Sequence, residues 1–356
     1  MPDMTVLDHY VADSGPAALV LRDELIPVEG ADGVFFPPTY AKGEDFPGGY
    51  NIDSLSTGGN VCLVDSVGSQ ANRIEPIFGR EPYSKLVPQI CVRAGDKTVN
   101  LLEAGHRAGD AIVRCSGLQK ELHDAFAELL KGDATPLASI APTSLVFGVW
   151  DSRDTQAKAP RLLASTIRAY DVRRLTRSAQ YVPAVEYVKN NVLEEPLDKA
   201  TRDAYAVRGF VHVPASGSHG GVIATGGIRR EATFSLAALR LLSAGSDSDR
   251  TKLLRRYVLG LGLTAFTANV SGYLRQGCNL VLDGSKSQPR RIEEVYPTGE
   301  RKPFTFLHGA ALEYAAEAAK AFGISANRTV DFDKEGAKKD IAGDPDKKGK
   351  GKKAKI

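Results

Sequence analysis

Residues 61–75 read VCLVDSVGSQANRIE, and the parsing of this stretch decides the fold. Val61, Cys62, Leu63 and Val64 form an apolar run that reads as the end of a buried strand. Asp65 and Ser66 follow, and either can cap a helix that begins just after them. Along that helix Ser66, Ser69, Gln70 and Arg73 recur at spacings of three and four, so they share one face or its edge. Hydroxyl, amide and guanidinium groups without a general base suit gripping a sugar-phosphate backbone better than breaking bonds. An ordinary capped surface helix accounts for the same pattern.

On the N-terminal side lies a first strand, Ala17–Ile26 (AALVLRDELI), followed by the Pro/Gly-rich stretch Val34–Asn60. Phe35, Phe36, Tyr40 and Tyr50 are spread through that stretch, where they either stack on bases or pin the loop to its own domain. On the C-terminal side, Gln89–Val99 reads as a hairpin and Ala111–Cys115 as a short strand. Leu118–Leu130 has the apolar spacing of a helix, and Thr143–Trp150 (TSLVFGVW) has the composition of a strand. PRLLASTIRAYDV permits either strand or helix.

Further along, Val207–Val213 reads as a strand, Pro214–Arg230 as a Gly/Ser-rich loop, and Glu231–Leu242 and Asp249–Leu263 as helices. LRQGCNLVL (274–282) reads as a strand, and Phe306–Phe322 as an alanine-rich helix. Strands and helices intermix without a βαβ rhythm, which predicts an α+β fold with an antiparallel sheet.

Composition narrows the function. At 356 residues with 42% hydrophobic and 25% charged side chains, the chain has ample material for one large or two smaller domains. No apolar run approaches the length of a membrane span, and the N-terminus lacks a signal-peptide pattern, so the expected location is the cytoplasm. Cys62, Cys91, Cys115 and Cys278 are far apart and fall in no metal-ligand spacing; reduced, buried thiols are expected, with no metal site and no cofactor. The net charge of +3 is uneven. From Lys334 onward nine lysines face four acids, which leaves the body two charges negative. Any RNA site in the body must therefore be a local patch.

The strongest such patch follows Trp150. Arg153, Lys158, Arg161, Arg168, Arg173, Arg174 and Arg177 are accompanied only by Asp154 and Asp171 in that stretch. Arginine's planar fork binds phosphate bidentately and stacks on bases, which fits an RNA track. Ser218, His219, Arg229 and Arg230, in and after a glycine-rich run, are candidate phosphate contacts. Arg275 and Gln276, at a turn, are candidates to face the same ligand. For catalysis the sequence provides less. None of the six histidines joins a catalytic motif, and Asp65 beside Ser66 and the DSRD run (151–154) are the only tempting clusters. The chain is therefore read as a non-enzyme, with a metal-dependent ribonuclease using exposed aspartates as the alternative and a scaffold that polymerises without RNA third.

DSVGSQANRIE, together with FGVWDSRDTQAKAPRLLASTIRAYDV, resembles the backbone subunit of the type I-G (formerly I-U) CRISPR Cascade surveillance complex, in the repeat-associated RNA-binding (RAMP) superfamily. The resemblance extends over most of Leu19–Ile324. It implies a ferredoxin-like or RRM-like palm with long finger and thumb insertions. Residues 1–330 would form this single palm, with about 34–60 and 214–230 as candidate thumb and finger loops and 331–356 as a disordered Lys-rich tail. It further implies copies assembled head to tail in a helical filament along one CRISPR guide RNA, which pairs with target-strand DNA. The other implied partners are the guide-processing subunit at the 5′ end and the large subunit. On this resemblance Ser66, Ser69, Gln70, Asn72 and Arg73 are guide contacts, and Arg153, Lys158, Arg161 and Arg168 line the same track.

Overall fold

Alternation along the first long strand, β1 (Ala18–Pro27), buries Leu19, Leu21 and Asp23 and leaves Val20, Arg22 and Glu24 facing the other way. It is followed by β2 (Ile52–Ser54), β3 (Asn60–Asp65), a separate hairpin of β4 (Ile90–Ala94) and β5 (Lys97–Asn100), and β6 (Leu163–Tyr170). Next, β7 (Val172–Tyr181) and β8 (Val213–Ala224) make a two-stranded arm. The chain then adds β9 (Ile228–Ser235), β10 (Tyr273–Arg275), β11 (Cys278–Leu282), β12 (Arg290–Val295) and β13 (Arg301–Pro303). Last, β14 (Arg328–Asp331) pairs parallel with β4. The helices of eight or more residues are α1 (Val67–Ile74), α2 (Gln119–Leu130), α3 (Lys199–Val207), α4 (Ser248–Thr267), α5 (His308–Phe322) and α6 (Lys334–Ala342). This computed structural model describes residues 4–269 and 271–342, without the side chains of 4 and 215–218.

The central sheet has nine strands in the order β10–β11–β1–β9–β6–β3–β2, with β12 also beside β1 and β13 beside β12. All of these neighbours are antiparallel, so the fold is α+β with an antiparallel, palm-like sheet. Its inner face carries two hydrophobic clusters. The larger joins Leu19, Leu21, Leu163, Ala232 and Phe234 to α4 and α5. The smaller joins Ile167, Ala169 and Ile228 to Phe35, Tyr50, Val222 and the β10–β11 hairpin. Burial of each large side chain contributes on the order of 1.5–3 kcal/mol.

Twelve of the twenty residues of α4 are buried, and its glycines permit that depth. A Cβ at Gly260 would lie 2.8 Å from Ala315 Cα on α5, and one at Gly262 would run into the Phe234 ring. Two-helix contact this close needs small residues, which the alanine-rich α5 supplies. Tyr257 on α4 stacks on Phe322 at 4.9 Å between ring centres and donates its hydroxyl to Leu86 O at 2.9 Å.

Several elements differ from the sequence expectations. Thr143–Phe147 is a helix rather than a strand; the run is wholly buried, and a short apolar run has no period that separates the two. Ala111–Arg114 is also helical, capped by Asp110 Oδ1 accepting from Ile112 N at 3.2 Å. Glu231 opens no helix. Residues 231–235 complete β9, with Ala232 and Phe234 inward, and Ser235 then caps the turn Leu236–Leu239. Residues 207–212 are not a strand, because α3 runs to Val207 and β8 begins only at Val213. The expected loop 214–230 is mostly strand, paired along β7 through two register shifts. Its glycines serve those irregularities: Gly221 has φ +91°, and a Cβ at Gly220 would sit 2.6 Å from the Thr176 backbone. The stretch 34–60 is pinned, with Phe35 and Tyr50 buried and Phe35 bridged to Val222 in both directions.

Disorder expected from Asp331 onward does not begin there. Asp331 ends β14 and pairs with Arg93 at 2.8 Å, and α6 is tied back by Arg114 to Asp340 at 2.6 Å. The remainder of the lysine-rich tail, 343–356, lies outside the described residues.

Candidate nucleic-acid interface

The corner between β3 and α1 forms as the sequence suggests, with the two candidate caps taking different roles. Ser66 is the N-cap, its hydroxyl accepting from Ser69 N at 3.2 Å. Asp65, only 1% exposed, instead collects side-chain donors. Ser69 Oγ donates to it at 2.7 Å, Gln70 Nε2 at 2.6 Å, Arg73 Nε at 3.1 Å and Arg275 Nη2 at 3.2 Å. Arg275 also donates to Val64 O at 3.0 Å. The spacing of three and four that placed Ser69, Gln70 and Arg73 on one face thus aims them at one carboxylate.

The bonding continues inward. Gln70 Oε1 accepts from Ser165 Oγ at 2.9 Å, and Ser165 Oγ accepts from Arg230 Nε at 3.1 Å. Arg230 Nη1 reaches Asp23 at 3.4 Å, and Asp23 takes a bidentate pair from Arg290 at 2.7 and 3.0 Å. Asp23 and Arg230 are directly opposed across β1 and β9. This polar row crosses the inner face between the two hydrophobic clusters and ends at α1. Two carboxylates meet four guanidiniums in it, so its formal charge is positive. Burial draws the Arg230 guanidinium below its usual pKa despite Asp23, whereas the bond to Asp23 raises that of the more open Arg290.

A second buried pair lies just beyond α1. Arg107 Nε approaches Glu75 Oε2 at 2.7 Å, both almost fully enclosed. Arg107 also donates to Asn72 Oδ1 and to Gly148 O, each at 3.3 Å. Burial pushes the Glu75 carboxyl up to about 7, with the attraction of Arg107 offsetting only part of the desolvation. Arg161, lowered by its own burial and by Arg107, donates from Nε to Phe147 O at 2.7 Å.

The candidate contacts therefore sort into three groups. Gln70 and Arg230 are buried, and each completes the polar row, where an unpaired partner would be costly. Ser66, Ser69, Asn72, Arg73, Arg161 and Arg275 surround the corner, and most already bond within the protein. Those of the remainder whose side chains are described are exposed or half-exposed. Arg173, Arg174 and Arg177 extend along β7 on the arm, whose helix α3 has no buried residue. Arg168 and Arg229 face each other across β6 and β9 on the outer face, Arg229 lying 4.5 Å over the Tyr170 ring and 3.5 Å from Glu24. Two guanidiniums directly opposed on one sheet face favour an anion beside them.

Arg153 is exposed, Lys158 lies 4.3 Å over the Trp150 ring, and Gln276 is exposed at the β10–β11 turn. His219 packs on Tyr50 at 4.7 Å between ring centres, and the side chain of Ser218 lies outside the described residues. Arg80, Tyr273 and Arg290 carried no sequence signal, being single residues outside any motif. Asp23 was also missed, although period two along β1 places it on the inward face with Leu19 and Leu21, a signal that could have found it.

The aspartates that tempt a catalytic reading are engaged. Asp151 accepts from Thr155 N and Oγ1 at 2.8 and 2.7 Å, and Asp154 pairs with His123 at 2.5 Å. Among the described residues no group of three or more His, Cys, Asp or Glu side chains is placed to hold a metal ion. The four cysteines are free, and burial pushes the Cys62 and Cys278 thiols up to about 12 and about 11. No described helix is long and apolar enough to cross a membrane.

Residues 19–174 match the model of a family described as CRISPR-associated protein GSU0053 (Cas_GSU0053). The match runs from the start of β1 to the base of the arm, and it supports a CRISPR-associated protein with a role in CRISPR defence. No curated protein matches the chain.

Proposed function

We propose that this chain is a non-catalytic guide-RNA-binding subunit of a type I-G Cascade, a RAMP-type protein that polymerises head to tail along CRISPR RNA. The resulting ribonucleoprotein filament holds the guide by its backbone while base pairing reads target-strand DNA. The observation that carries this reading is the placement of Arg173, Arg174 and Arg177 along an exposed arm. Guanidiniums offered outward in this way fit phosphates. Asp65 is enclosed and accepts four side-chain donors, so it is not one of the exposed aspartates that the ribonuclease alternative requires.

The test is co-expression with a CRISPR array and the sister subunits, purification at mild salt, and sequencing of any RNA carried. Large particles containing repeat-derived guides of uniform length are expected. An RNA-free monomer under these conditions would overturn the reading.

A further inference from the structure

A cleft of about 410 Å³ opens between the end of α1 and the strand β10, lined by Arg73, Pro76, Ile77, Arg80, Ser271 and Tyr273. Its volume is in the range of roughly 300–1,000 Å³ that small-molecule sites occupy. No acidic residue lines it, so two guanidiniums stand there without a carboxylate inside the cleft. Asp65 holds Arg73 from behind through Nε, which fixes the fork and leaves its terminal amino groups for the open side. Arg80 is exposed just after the turn Glu75–Gly79 that continues α1. Opposite them Tyr273 is 58% exposed, because Leu274 takes the inward position on β10. Pro76 and Ile77 supply an apolar wall.

We infer that this cleft takes one nucleotide of a single strand, its base stacked on Tyr273 and its phosphate held by Arg73 and Arg80. The inference rests on the RNA-binding reading above and adds the residues that make one nucleotide's site. An aromatic face beside guanidiniums that hold phosphate stacks any base, as a guide of arbitrary sequence requires. Because Asp65 pre-orients Arg73, little side-chain freedom is lost when phosphate binds.

The experiment uses the guide-loaded particle from co-expression, with 4-thiouridine incorporated into the RNA. Cross-linking is expected to place an adduct on Tyr273. At fixed salt, Tyr273→Leu should weaken RNA retention by roughly fivefold or more, the scale of losing one base–aromatic stack, whereas Tyr273→Phe should retain RNA like the parent. Arg80→Ala should lower the salt dependence by about 0.7, one single-strand phosphate contact, and its exposure makes it a safe second variant if Tyr273→Leu disturbs folding. If the parent carries RNA while both variants hold it equally well and adducts map elsewhere, the cleft assignment falls and the guide-binding reading stands. If the parent carries no RNA, both fall.

Discussion

The polar row beneath the sheet and the arm that projects from it are both rich in arginine, yet they use it in opposite ways. In the row, Arg73, Arg230, Arg275 and Arg290 are spoken for by Asp23 and Asp65, and all of these ion pairs except Arg73–Asp65 join residues far apart in the chain. On the arm, Arg173, Arg174 and Arg177 stand on a ribbon whose outer residues are almost all exposed. A buried guanidinium fixes geometry, and its loss is felt as stability. An exposed one costs the fold little to remove and is felt by whatever it binds. Basic content alone does not distinguish these two roles; pairing with the buried Asp23 and Asp65 does.

The sharpest way to test that division is Asp65→Ala. It strips one acceptor from four donors, two of them guanidiniums, and should cost about 3–5 kcal/mol in a denaturant melt. A loss below about 1 kcal/mol would mean that the row is not a structural unit. The next largest effect concerns pH. Glu75 binds its proton more tightly in the folded chain than its ordinary value of 4.5, up to about 7. Folding therefore takes up a proton between these values, and stability should fall as pH rises from about 4.5 to 7, by on the order of 3 kcal/mol, then level off. Glu75→Gln should flatten that part of the profile in thermal melts across pH.

Ser165→Ala is a milder break in the same row. It leaves Gln70 Oε1 and Arg230 Nε without their shared hydroxyl and should cost about 1–3 kcal/mol by equilibrium unfolding. Smallest for the fold is the triple change of Arg173, Arg174 and Arg177 to Ala, expected to move stability by no more than about 0.5 kcal/mol. The same variant should lower the salt dependence of RNA binding by about two, if each guanidinium meets one phosphate. Should it instead unfold the protein, the contrast between row and arm would fail.

The two regions were also unequally readable in the sequence. The β3–α1 corner was marked by an apolar run ending at capping residues, and Ser66 duly caps. Its function was less visible: Ser69, Gln70 and Arg73 share a face, but nothing local says that the face meets Asp65, or that Gln70 points into the core. Arg275, Arg230 and Arg290 join the row from other strands, information held in the tertiary register rather than in spacing. The arm was misread for a different reason. Glycine-rich 214–230 has loop composition, and only the paired strand shows that Gly220 and Gly221 serve bulges in a ribbon. Thr143–Phe147 was misassigned because β-branched residues favour strands while burial on all sides accepts either form.

The span of the polar row also sets an order of events during synthesis. Asp65 is separated from Arg275 by 210 residues, and Asp23 from Arg290 by 267. Asp23 leaves the ribosome long before either of its arginines, and Asp65, which has Arg73 close behind it, long before Arg275. The family-matched segment 19–174 contains both acids but neither Arg275 nor Arg290. At that length Asp23 has no arginine of the row and Asp65 has only Arg73, so the inner face of the sheet closes late, when the C-terminal third arrives.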